Sequence, residues 1–372
     1  MKTIVVSGVN IRKGGTLTIL NDCLRYLSDF SKKNSLRIIA IVHKKELCAY
    51  PGIEYIEIPN SIKSWGRRLW NEYIHFHKLS KKIGHIDLWL SMHDTTPRVN
   101  ADIQVTYCQT SFPFYNWKWH DFKMDYKIPL FAMFTRFAYK VNINNNKHLI
   151  VQQQWLRDGL SKLLNVAPEK FIVFPPEKKH INPITTDIKN TIPTFLYASS
   201  ADCHKNFEIL CQATHLLENE IGLGKFQTLI TISGTENRYA KYLKKEWGSV
   251  NSLKFVGFQP KDKLYELYNS ANCLVFPSKV ETWGLPISEY STTGKPMILA
   301  DLPYAHETAS GCNNTIYFNP NDASELKLYM QRICNNDVTF LSHSEHHELK
   351  QPAVTSWDEL FKTLLNIYGT TT

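Results

Sequence analysis

Short apolar runs alternate with amphipathic stretches along this chain. In the first half, runs with the length of buried strands lie at residues 2–7, 36–42, 54–58, 87–91 and 103–107. Between the first two runs, leucines recur at helical spacing and predict a helix over residues 16–30. Strands that alternate with helices are typical of a parallel sheet that is covered by helices on both faces.

The second half repeats the pattern. Strand-like runs begin at residue 194 and continue at residues 228–233, 253–258, 273–276 and 297–300. Helical stretches lie between them, and residues 355–365 form a capped amphipathic helix near the end of the chain. The sequence therefore predicts a second parallel sheet, with ligands at the carboxyl ends of its strands.

The length of 372 residues predicts two domains. A stretch rich in Pro, Lys, Asn and Thr runs from about Pro175 to Pro193, and linkers between domains have this composition. We therefore expect one domain at residues 1–180, a second at residues 190–350 and a terminal helical segment at residues 351–372.

Charge is distributed unevenly between the halves. Residues 1–183 hold 27 basic and 14 acidic side chains, a net of +13, whereas residues 184–372 hold 16 and 20, a net of −4. This asymmetry favours an anionic partner for the first half. No nucleic-acid-binding motif is present, so nucleic acid is not expected. An anionic membrane surface or a pyrophosphate-linked lipid fits as well as a merely solvated basic surface.

The compartment follows from what the sequence lacks. The first apolar run is too short for a signal peptide, and no uncharged run approaches the ~20 residues that span a bilayer. The eight cysteines are scattered singly, which indicates reduced thiols and neither zinc nor a disulfide framework. We expect a cytoplasmic protein without a metal.

Two segments are compatible with peripheral contact between the protein and the inner face of the membrane. Residues 61–82 mix aromatic and basic side chains at helical spacing, and we favour a core face for the aromatic ones. Residues 128–141 are apolar apart from Arg136; they are too short to span a bilayer but could dip into one face of it.

The most informative stretch covers residues 276–299. It predicts a buried strand, a turn, a short helix opened by Pro286, a glycine stop at Gly294 and another strand. Proline suits the first turn of a helix because its missing N–H has no partner inside the helix there.

Two carboxylates lie beside the start of this short helix. Glu281 falls in the preceding loop, and Glu289 is expected in the first helical turn. The free backbone N–H groups of Gly284 and Leu285 predict an anion site between them, suited to a diphosphate held beside sugar hydroxyls. The competing interpretation is that acidic residues in a first turn only complement the helix dipole.

The complete motif within residues 276–299 decides between these interpretations. A glutamate, seven residues and a second glutamate, with Gly-Leu-Pro between them and Gly-Lys-Pro-Met-Ile behind, resemble the donor-binding signature of retaining GT-B glycosyltransferases of family 4, the glycosyl transferases group 1. The resemblance covers nearly the whole chain and is strongest from about Phe255 to Glu307.

The resemblance implies an α/β protein with the GT-B fold, in which two doubly wound, Rossmann-like parallel-sheet domains face each other across a cleft. The first domain would lie on the acceptor side, and the second would bind a nucleotide-sugar donor. The terminal helix would cross back to the first domain.

The family also implies roles for individual residues. Lys205 would neutralise the donor diphosphate together with the helix start at Gly284, while Glu281 would hold hydroxyls of the donor sugar and Glu289 those of the ribose. Of these, Glu281 and Lys205 would be the catalytic residues. The complete implied donor site is Gly14, Gly15, Ser200, Lys205, Gly234, Phe258, Glu281, Thr282, Trp283, Gly284, Leu285 and Glu289. The family usually has an Arg where Ser199 and Ser200 stand here.

The acceptor side carries a weaker signal. Seven aromatic residues fall within residues 111–126, which otherwise have the composition of a loop. Such rings could line a sugar or lipid acceptor, or they could pack as a small satellite core. The His-Asp pair common in the family is replaced by Gln109-Thr110, with a His-Asp pair farther on. The candidate acceptor residues are Gln109, Trp117, Trp119 and His120.

The predicted function is retaining, metal-independent transfer of a sugar from a UDP- or GDP-sugar to a glycan or lipid-linked oligosaccharide in bacterial surface polysaccharide synthesis. No cofactor is expected besides the donor. Two alternatives stay open: a nucleotide-sugar epimerase of the same architecture, and a degenerate, membrane-recruited assembly subunit marked by the missing Arg.

Overall fold

The computed structural model describes residues 1–61, 64–177 and 192–366, without the side chains of Lys33 and Trp65. The chain divides into two compact units. The first unit contains Met1–Thr110, Phe134–Glu177 and Leu349–Thr372, and the second contains Ser111–Met133 and Lys178–Glu348. Residues 178–191, where the predicted domain boundary falls, and residues 367–372 of the predicted terminal segment lie outside the described residues.

Every strand of the two sheets is parallel to its neighbours. The strands are β1 (Lys2–Gly8), β2 (Leu36–Val42), β3 (Ile53–Glu57), β4 (Leu88–Ser91), β5 (Ile103–Tyr107), β6 (His148–Val151), β7 (Phe171–Val173), β8 (Thr194–Tyr197), β9 (Gln227–Ile230), β10 (Leu253–Phe255), β11 (Cys273–Phe276), β12 (Met297–Ala300) and β13 (Thr315–Phe318).

The α-helices of the described residues lie between and after these strands. They are α1 (Gly14–Lys33), α2 (Trp65–Trp70), α3 (Phe76–Ile83), α4 (Trp119–Met124), α5 (Lys127–Lys140), α6 (Gln154–Leu164), α7 (Phe207–Ile221), α8 (Arg238–Trp247), α9 (Lys261–Ser270), α10 (Leu285–Ser291), α11 (Pro303–Thr308), α12 (Ala323–Cys334) and α13 (Trp357–Leu365). Among the described residues, no helix combines the length and the apolar character needed to cross a bilayer.

The first unit is a seven-stranded sheet in the order β3-β2-β1-β4-β5-β6-β7. Alternate residues of β1 point to opposite faces, and both faces are buried. Ile4 and Val6 lie in a core cluster with residues of α1 and α13, whereas Val5 lies in a second cluster with Phe76 and Trp89. Helices therefore cover both faces, which explains why the strands form continuous apolar runs in the sequence.

The second unit is a six-stranded sheet in the order β10-β9-β8-β11-β12-β13. Its centre is Tyr197, whose ring packs against Phe207 of α7 at 4.6 Å and against Phe276 of β11 at 5.5 Å between centroids. The strand order reverses direction between β8 and β11, so the loops that leave these two strands diverge. In open α/β sheets, ligands bind at such a switch point.

The fold prediction is confirmed, since both units are parallel α/β sheets. The strand predictions at residues 36–42, 103–107 and 273–276 match the observed bounds. The predicted helix over residues 61–82 is instead two α-helices, α2 and α3, joined by a π-helical turn at Asn71–His75. The aromatic segment, predicted as a loop, contains a 3₁₀ turn at Phe112–Phe114 and the helix α4.

Candidate active site

The loop that follows β8 places Lys205 at the switch point of the second sheet. A 3₁₀ turn ends at Lys205, and Asn206 adopts the left-handed conformation (φ 57°) that starts α7. The Tyr197 hydroxyl donates to the Lys205 carbonyl at 2.8 Å, and the Asn206 amide donates to the Pro277 carbonyl at 3.1 Å. Hydrogen bonds from the side chain of Tyr197 on β8, and from that of Asn206 to the loop after β11, therefore hold the backbone of this lysine in place.

Glu281 reaches the same place from the loop after β11. Its Oε1 lies 2.6 Å from the Lys205 Nζ, and the two side chains are only 13% and 15% exposed. The structure thus brings together the two residues that the sequence analysis named as catalytic. An ammonium has three N–H donors, so this lysine can bind a carboxylate and phosphate oxygens at once.

His204, the residue before Lys205, is buried in the second unit. Its carbonyl accepts from the Lys279 N–H at 2.8 Å, and its ring lies edge-on to Phe112 at 5.0 Å and to Tyr115 at 6.1 Å between centroids. Burial, followed by the charges of Lys205 and Lys279, holds the pKa of His204 well below its ordinary value. A neutral imidazole therefore packs between the lysine loop and the aromatic segment.

The turn before α10 depends on one glycine. Gly284 has φ +91°, a left-handed conformation that favours glycine, and a Cβ there would lie 3.2 Å from the Ile287 Cδ1. Leu285 begins the helix and Pro286 follows it. Trp283 is buried, and its indole N–H donates to the Ser288 hydroxyl at 3.1 Å, so the side chain supports the turn from inside the unit. Thr282 in the same turn is partly exposed.

Glu289 lies deeper in the helix than the sequence predicted. It is the fifth residue of α10, and the first turn of that helix contains no acidic residue. The reason is that the helix begins at Leu285 and the chain turns tightly at Gly284. Glu289 Oε2 accepts a hydrogen bond from the Tyr268 hydroxyl at 3.1 Å, which orients the carboxylate from α9.

The loop after β9 curls around a carboxylate. Gly234, with φ +90°, and Thr235 both donate their backbone N–H groups to Glu236 Oε2 at 3.0 Å. Burial alone would raise the pKa of Glu236, but hydrogen bonds from the Ser233 N–H, from its own N–H, from the Ser233 hydroxyl and from the Gly234 N–H lower it below its ordinary value. The predicted site residue Gly234 is itself buried. A Cβ at this position would lie 2.7 Å from the Lys244 Cβ, so the turn has no room for a side chain.

Phe258 stands open to solvent beside that loop. Its side chain is 85% exposed, and the neighbouring Gly257 N–H donates to the Ile232 carbonyl at 3.2 Å. Ser200 is also exposed, and its hydroxyl donates to Asp202 at 2.6 Å. The predicted donor-binding residues of the second unit therefore lie along one edge of its sheet, at the carboxyl ends of β8, β9, β10 and β11.

The candidate acceptor residues fall into two groups. Gln109 belongs to the first unit, where its side-chain N–H donates to the Met92 carbonyl at 2.7 Å. The other three belong to the second unit. Trp119 is 64% exposed and stacks on Phe122 at 5.2 Å, while Trp117 is partly buried and its ring lies 6.4 Å from the same Phe122.

His120 is partly buried and lies beside an acidic side chain of α7. Its Nδ1 lies 3.7 Å from the Glu208 carboxylate, and its ring contacts Tyr242 at 5.1 Å. Burial raises the pKa of Glu208, although a hydrogen bond from the Tyr239 hydroxyl opposes the shift. The inner rings of the aromatic segment thus form a satellite core on the second unit, while Trp119 faces solvent.

The first unit contains a buried polar cluster that the sequence analysis missed. His93 follows β4, and its Nε2 lies 3.0 Å from the Ser7 hydroxyl at the end of β1. Its Nδ1 lies 3.5 Å from Glu72, which is fully buried and pairs with Arg68 at 3.0 Å. Burial lowers the pKa of His93 and the Glu72 carboxylate opposes that shift. The signal was the dipeptide His93-Asp94, which follows the predicted strand at residues 87–91 after one intervening residue.

The predicted glycine pair of the first unit lies at the start of α1. Gly14 has φ +71°, and a Cβ there would meet no atom of the described residues within 4 Å. Both Gly14 and Gly15 are exposed, and the first turn of α1 contains no acidic residue. The role of these glycines toward donor phosphates stays a prediction.

The comparisons with known proteins agree with this geometry. Residues 179–353 match the family model described as Glycosyl transferases group 1. The O-antigen chain mannosyltransferase RfbU of Salmonella typhimurium is 24% identical over 296 residues, which cover 76% of this chain and 77% of that protein. Residues 179–353 of this chain are therefore similar to group 1 glycosyltransferases.

Solved structures place this glycosyltransferase in the GT-B fold. The lipopolysaccharide outer core galactosyltransferase WaaB superposes with a TM-score of 0.59 at 12% identity, covering 100% of this chain and 96% of that one. Anabaena HepE in complex with UDP-glucose superposes with a TM-score of 0.62 at 15% identity, covering 91% and 92%. At these identities the likeness concerns the fold alone.

Proposed function

We propose that this glycosyltransferase moves a hexose from a nucleoside diphosphate-sugar to a lipid-linked or glycan acceptor in the synthesis of a bacterial surface polysaccharide. The observation that carries the proposal is the Lys205–Glu281 pair at the switch point of the second sheet, 2.6 Å apart and largely buried. The named relatives, an O-antigen mannosyltransferase and a lipopolysaccharide galactosyltransferase, support the polysaccharide context.

Lys205 neutralises the departing diphosphate in this proposal. Negative charge grows on the bridging oxygen as the bond to the sugar breaks, and a fixed ammonium stabilises that charge without reorganising. Glu281 accepts one N–H of the lysine, and the remaining donors go to phosphate oxygens. The carboxylate orients a hydroxyl of the donor sugar with its other oxygen.

The nucleoside lies along the same edge of the second sheet in this proposal. Glu289 receives the ribose hydroxyls, and the ring of Phe258, which is 85% exposed, offers an aromatic face to the base. Both contacts position the donor and exchange no proton with it.

The reaction proceeds with retention of the anomeric configuration and without a metal in this proposal. Oxygen atoms of the leaving diphosphate accept the proton of the attacking hydroxyl, so no protein carboxylate needs to act as a nucleophile. A direct check is turnover in the presence and absence of EDTA, with the anomeric configuration of the product read by NMR. Equal rates and a retained configuration are expected, and a chelator-sensitive rate or an inverted product contradicts this part of the proposal.

Incubation with labelled donors and a lipid-linked acceptor tests the proposed function. GDP-mannose and UDP-glucose come first, because the relative is named a mannosyltransferase and HepE is named in complex with UDP-glucose. We expect transfer from one donor, lost in Glu281→Ala and retained in the surface variant Glu266→Ala. Conversion of the donor without any acceptor indicates an epimerase instead, and no turnover under any condition indicates a degenerate subunit.

A further inference from the structure

The aromatic segment at residues 111–126 packs against the turn that carries Lys205. Both belong to the second unit, although they lie far apart in the chain. The rings of Phe112 and Tyr115 lie edge-on to the His204 ring, at 5.0 and 6.1 Å between centroids. Helix α4 of the same segment contacts the 3₁₀ turn that ends at Lys205. The segment therefore supports the backbone that places this lysine.

One carboxylate of α4 is buried. Asp121 is 1% exposed, whereas Trp119 and Lys123 of the same helix are open to solvent. The Asp121 Oδ2 accepts the Lys118 N–H at 2.7 Å, which closes the first turn of the helix. Its other oxygen, Oδ1, lies 3.9 Å from the Lys279 Nζ. Capping needs only an acceptor at the helix start, so the buried ion pair indicates a second role for this carboxylate.

Lys279 connects Asp121 to both catalytic loops. It lies in the loop after β11, two residues before Glu281, and its side chain is 19% exposed. Its backbone N–H donates to the carbonyl of His204, the residue before Lys205, at 2.8 Å. The two catalytic loops are thus joined at Lys279, whose charge Asp121 balances.

The Lys279 ammonium acts on several groups around the Lys205 turn. Burial, then the charge of Lys205 and then that of Lys279, lower the pKa of His204. Burial raises the pKa of Glu208, and hydrogen bonds and the charge of Lys279 are among the causes that oppose this shift. Lys279 therefore lies close enough to other titratable side chains to respond when Asp121 no longer balances its charge.

We propose that Asp121 is a positioning residue for the sugar transfer. It balances the charge of Lys279, which keeps the loop after β11 joined to the Lys205 turn and leaves the Glu281 carboxylate to Lys205. Without that balance, the Lys279 ammonium competes with Lys205 for Glu281, which is two residues away in the same loop. Asp121 acts only through Lys279 and exchanges no proton with the substrates. The inference rests on the proposed function, since it takes the roles of Lys205 and Glu281 from there.

A purely structural role for Asp121 predicts a different pattern of variants. The helix start needs an acceptor for the Lys118 N–H, and asparagine supplies one as well as aspartate does. Asp121→Asn therefore keeps the acceptor and removes the charge. Adding Lys279→Met removes the opposite charge, so the double variant contains neither. Replacing both charges of a buried pair is often neutral, whereas removing one leaves the other without compensation.

Steady-state kinetics of the single and the double variant, with the donor that the wild type uses, tests the proposal. We expect kcat to fall about tenfold in Asp121→Asn, because small displacements of catalytic groups have effects of this size. In Asp121→Asn/Lys279→Met we expect kcat to return to within about threefold of the wild type. If Asp121 only supports the fold, the double variant is impaired at least as much as Asp121→Asn. The control Asp262→Asn, which removes an exposed carboxylate of α9, should match the wild type.

Amide hydrogen exchange of the donor-free protein tests the contact independently of turnover. We expect faster exchange at residues 278–284 in Asp121→Asn, because the loop after β11 is then held less firmly, and exchange like that of the wild type in the double variant. Thermal unfolding verifies that each variant folds.

Any one of three results overturns the inference: a kcat of Asp121→Asn within about twofold of the wild type, unchanged exchange at residues 278–284, or a double variant that transfers no faster than Asp121→Asn. Such a result in a protein whose wild type transfers sugar contradicts the inference alone. A wild type without turnover on any donor contradicts the proposed function, and the role of Asp121 in the transfer with it.

Discussion

The Lys205 ammonium and the Glu281 carboxylate lie 2.6 Å apart in a largely buried setting. Truncating one partner of such a pair leaves the other charge uncompensated. The sequence named both residues from the spacing of a motif, but their contact depends on two loops more than 70 residues apart in the chain. The Asn206 hydrogen bond joins these loops and the Tyr197 hydrogen bond ties the first of them to β8, and neither has a signature in the sequence.

Replacement of Lys205 by Met is the residue-level test of the charge at the diphosphate. We expect kcat/KM to fall by about 10²–10³, the usual effect of removing one group that stabilises developing negative charge. Steady-state kinetics with a saturating acceptor measures it. Lys263→Met, which removes an exposed lysine paired with Glu266, is the control. A Lys205→Met enzyme within about twofold of the wild type rules out this role for the lysine.

The buried His204 predicts how stability depends on pH. Burial keeps its pKa well below the ordinary value of 6.5, so the folded state holds the neutral form. In the unfolded chain the imidazole binds a proton below about pH 6.5. Since the unfolded state then binds more protons, the free energy of unfolding falls as the pH drops below 6.5, by up to about 1.4 kcal/mol per pH unit for this group.

Urea unfolding of His204→Gln between pH 7 and pH 5 tests this dependence. We expect a smaller loss of stability across this range than in the wild type, whatever the stability of the variant at pH 7. His93 is also buried with a lowered pKa, so part of the dependence should remain. The exposed His215→Gln variant should follow the wild type, and a His204→Gln slope equal to that of the wild type contradicts the interpretation.

At the scale of elements, the sequence predicted the strand, turn and short helix around Gly284, but the helix ends at Ser291, three residues before the predicted stop at Gly294. It misplaced Glu289, because the first helical residue was taken as Pro286 and proline fits either of the first two positions. The aromatic segment was harder to predict. Its rings have no helical period, and their partners on α7 and around His204 lie far away in the sequence.

Gly284→Ala tests the turn that begins α10. We expect a loss of about 1–2 kcal/mol in the free energy of unfolding, because φ +91° is unfavourable for alanine and the new Cβ would lie 3.2 Å from Ile287. Gly66→Ala is the control, since Gly66 lies in α2 with its nearest contact at 4.0 Å. The control should be neutral or stabilising. Chemical denaturation that ranks the two variants equally contradicts the assigned strain.

At the scale of the whole molecule, alternating strands and helices sufficed to predict two parallel sheets. The apolar pattern does not reveal which strands are neighbours, so the two strand orders could not be read from the sequence. The packing partners of helix α13 could not be predicted from the sequence either. Its apolar face was visible in the sequence, whereas its partners were not: Trp357 packs on Phe174 at 4.7 Å, and Phe361 lies in the core of the first unit.

Phe361→Ala measures what this terminal helix contributes. The side chain is fully buried, and deleting a buried phenyl ring costs about 3–5 kcal/mol. We expect a drop of this size in the free energy of unfolding of the first unit. Urea unfolding followed by tryptophan fluorescence reports it, and Lys362→Ala, on the exposed side of the same helix, is the control. A loss below about 1 kcal/mol contradicts the packing.

The central claim is that the carboxyl edge of the second sheet binds a nucleotide-sugar. Isothermal titration with GDP-mannose and UDP-glucose tests it most directly, on the wild type, on Glu289→Ala and on the surface control Glu266→Ala. We predict that one nucleotide-sugar binds the wild type and the control with the same Kd and binds Glu289→Ala at least about tenfold more weakly, as expected for the loss of hydrogen bonds to a charged group. Equal binding by Glu289→Ala, or no binding of any nucleotide-sugar, would contradict the claim.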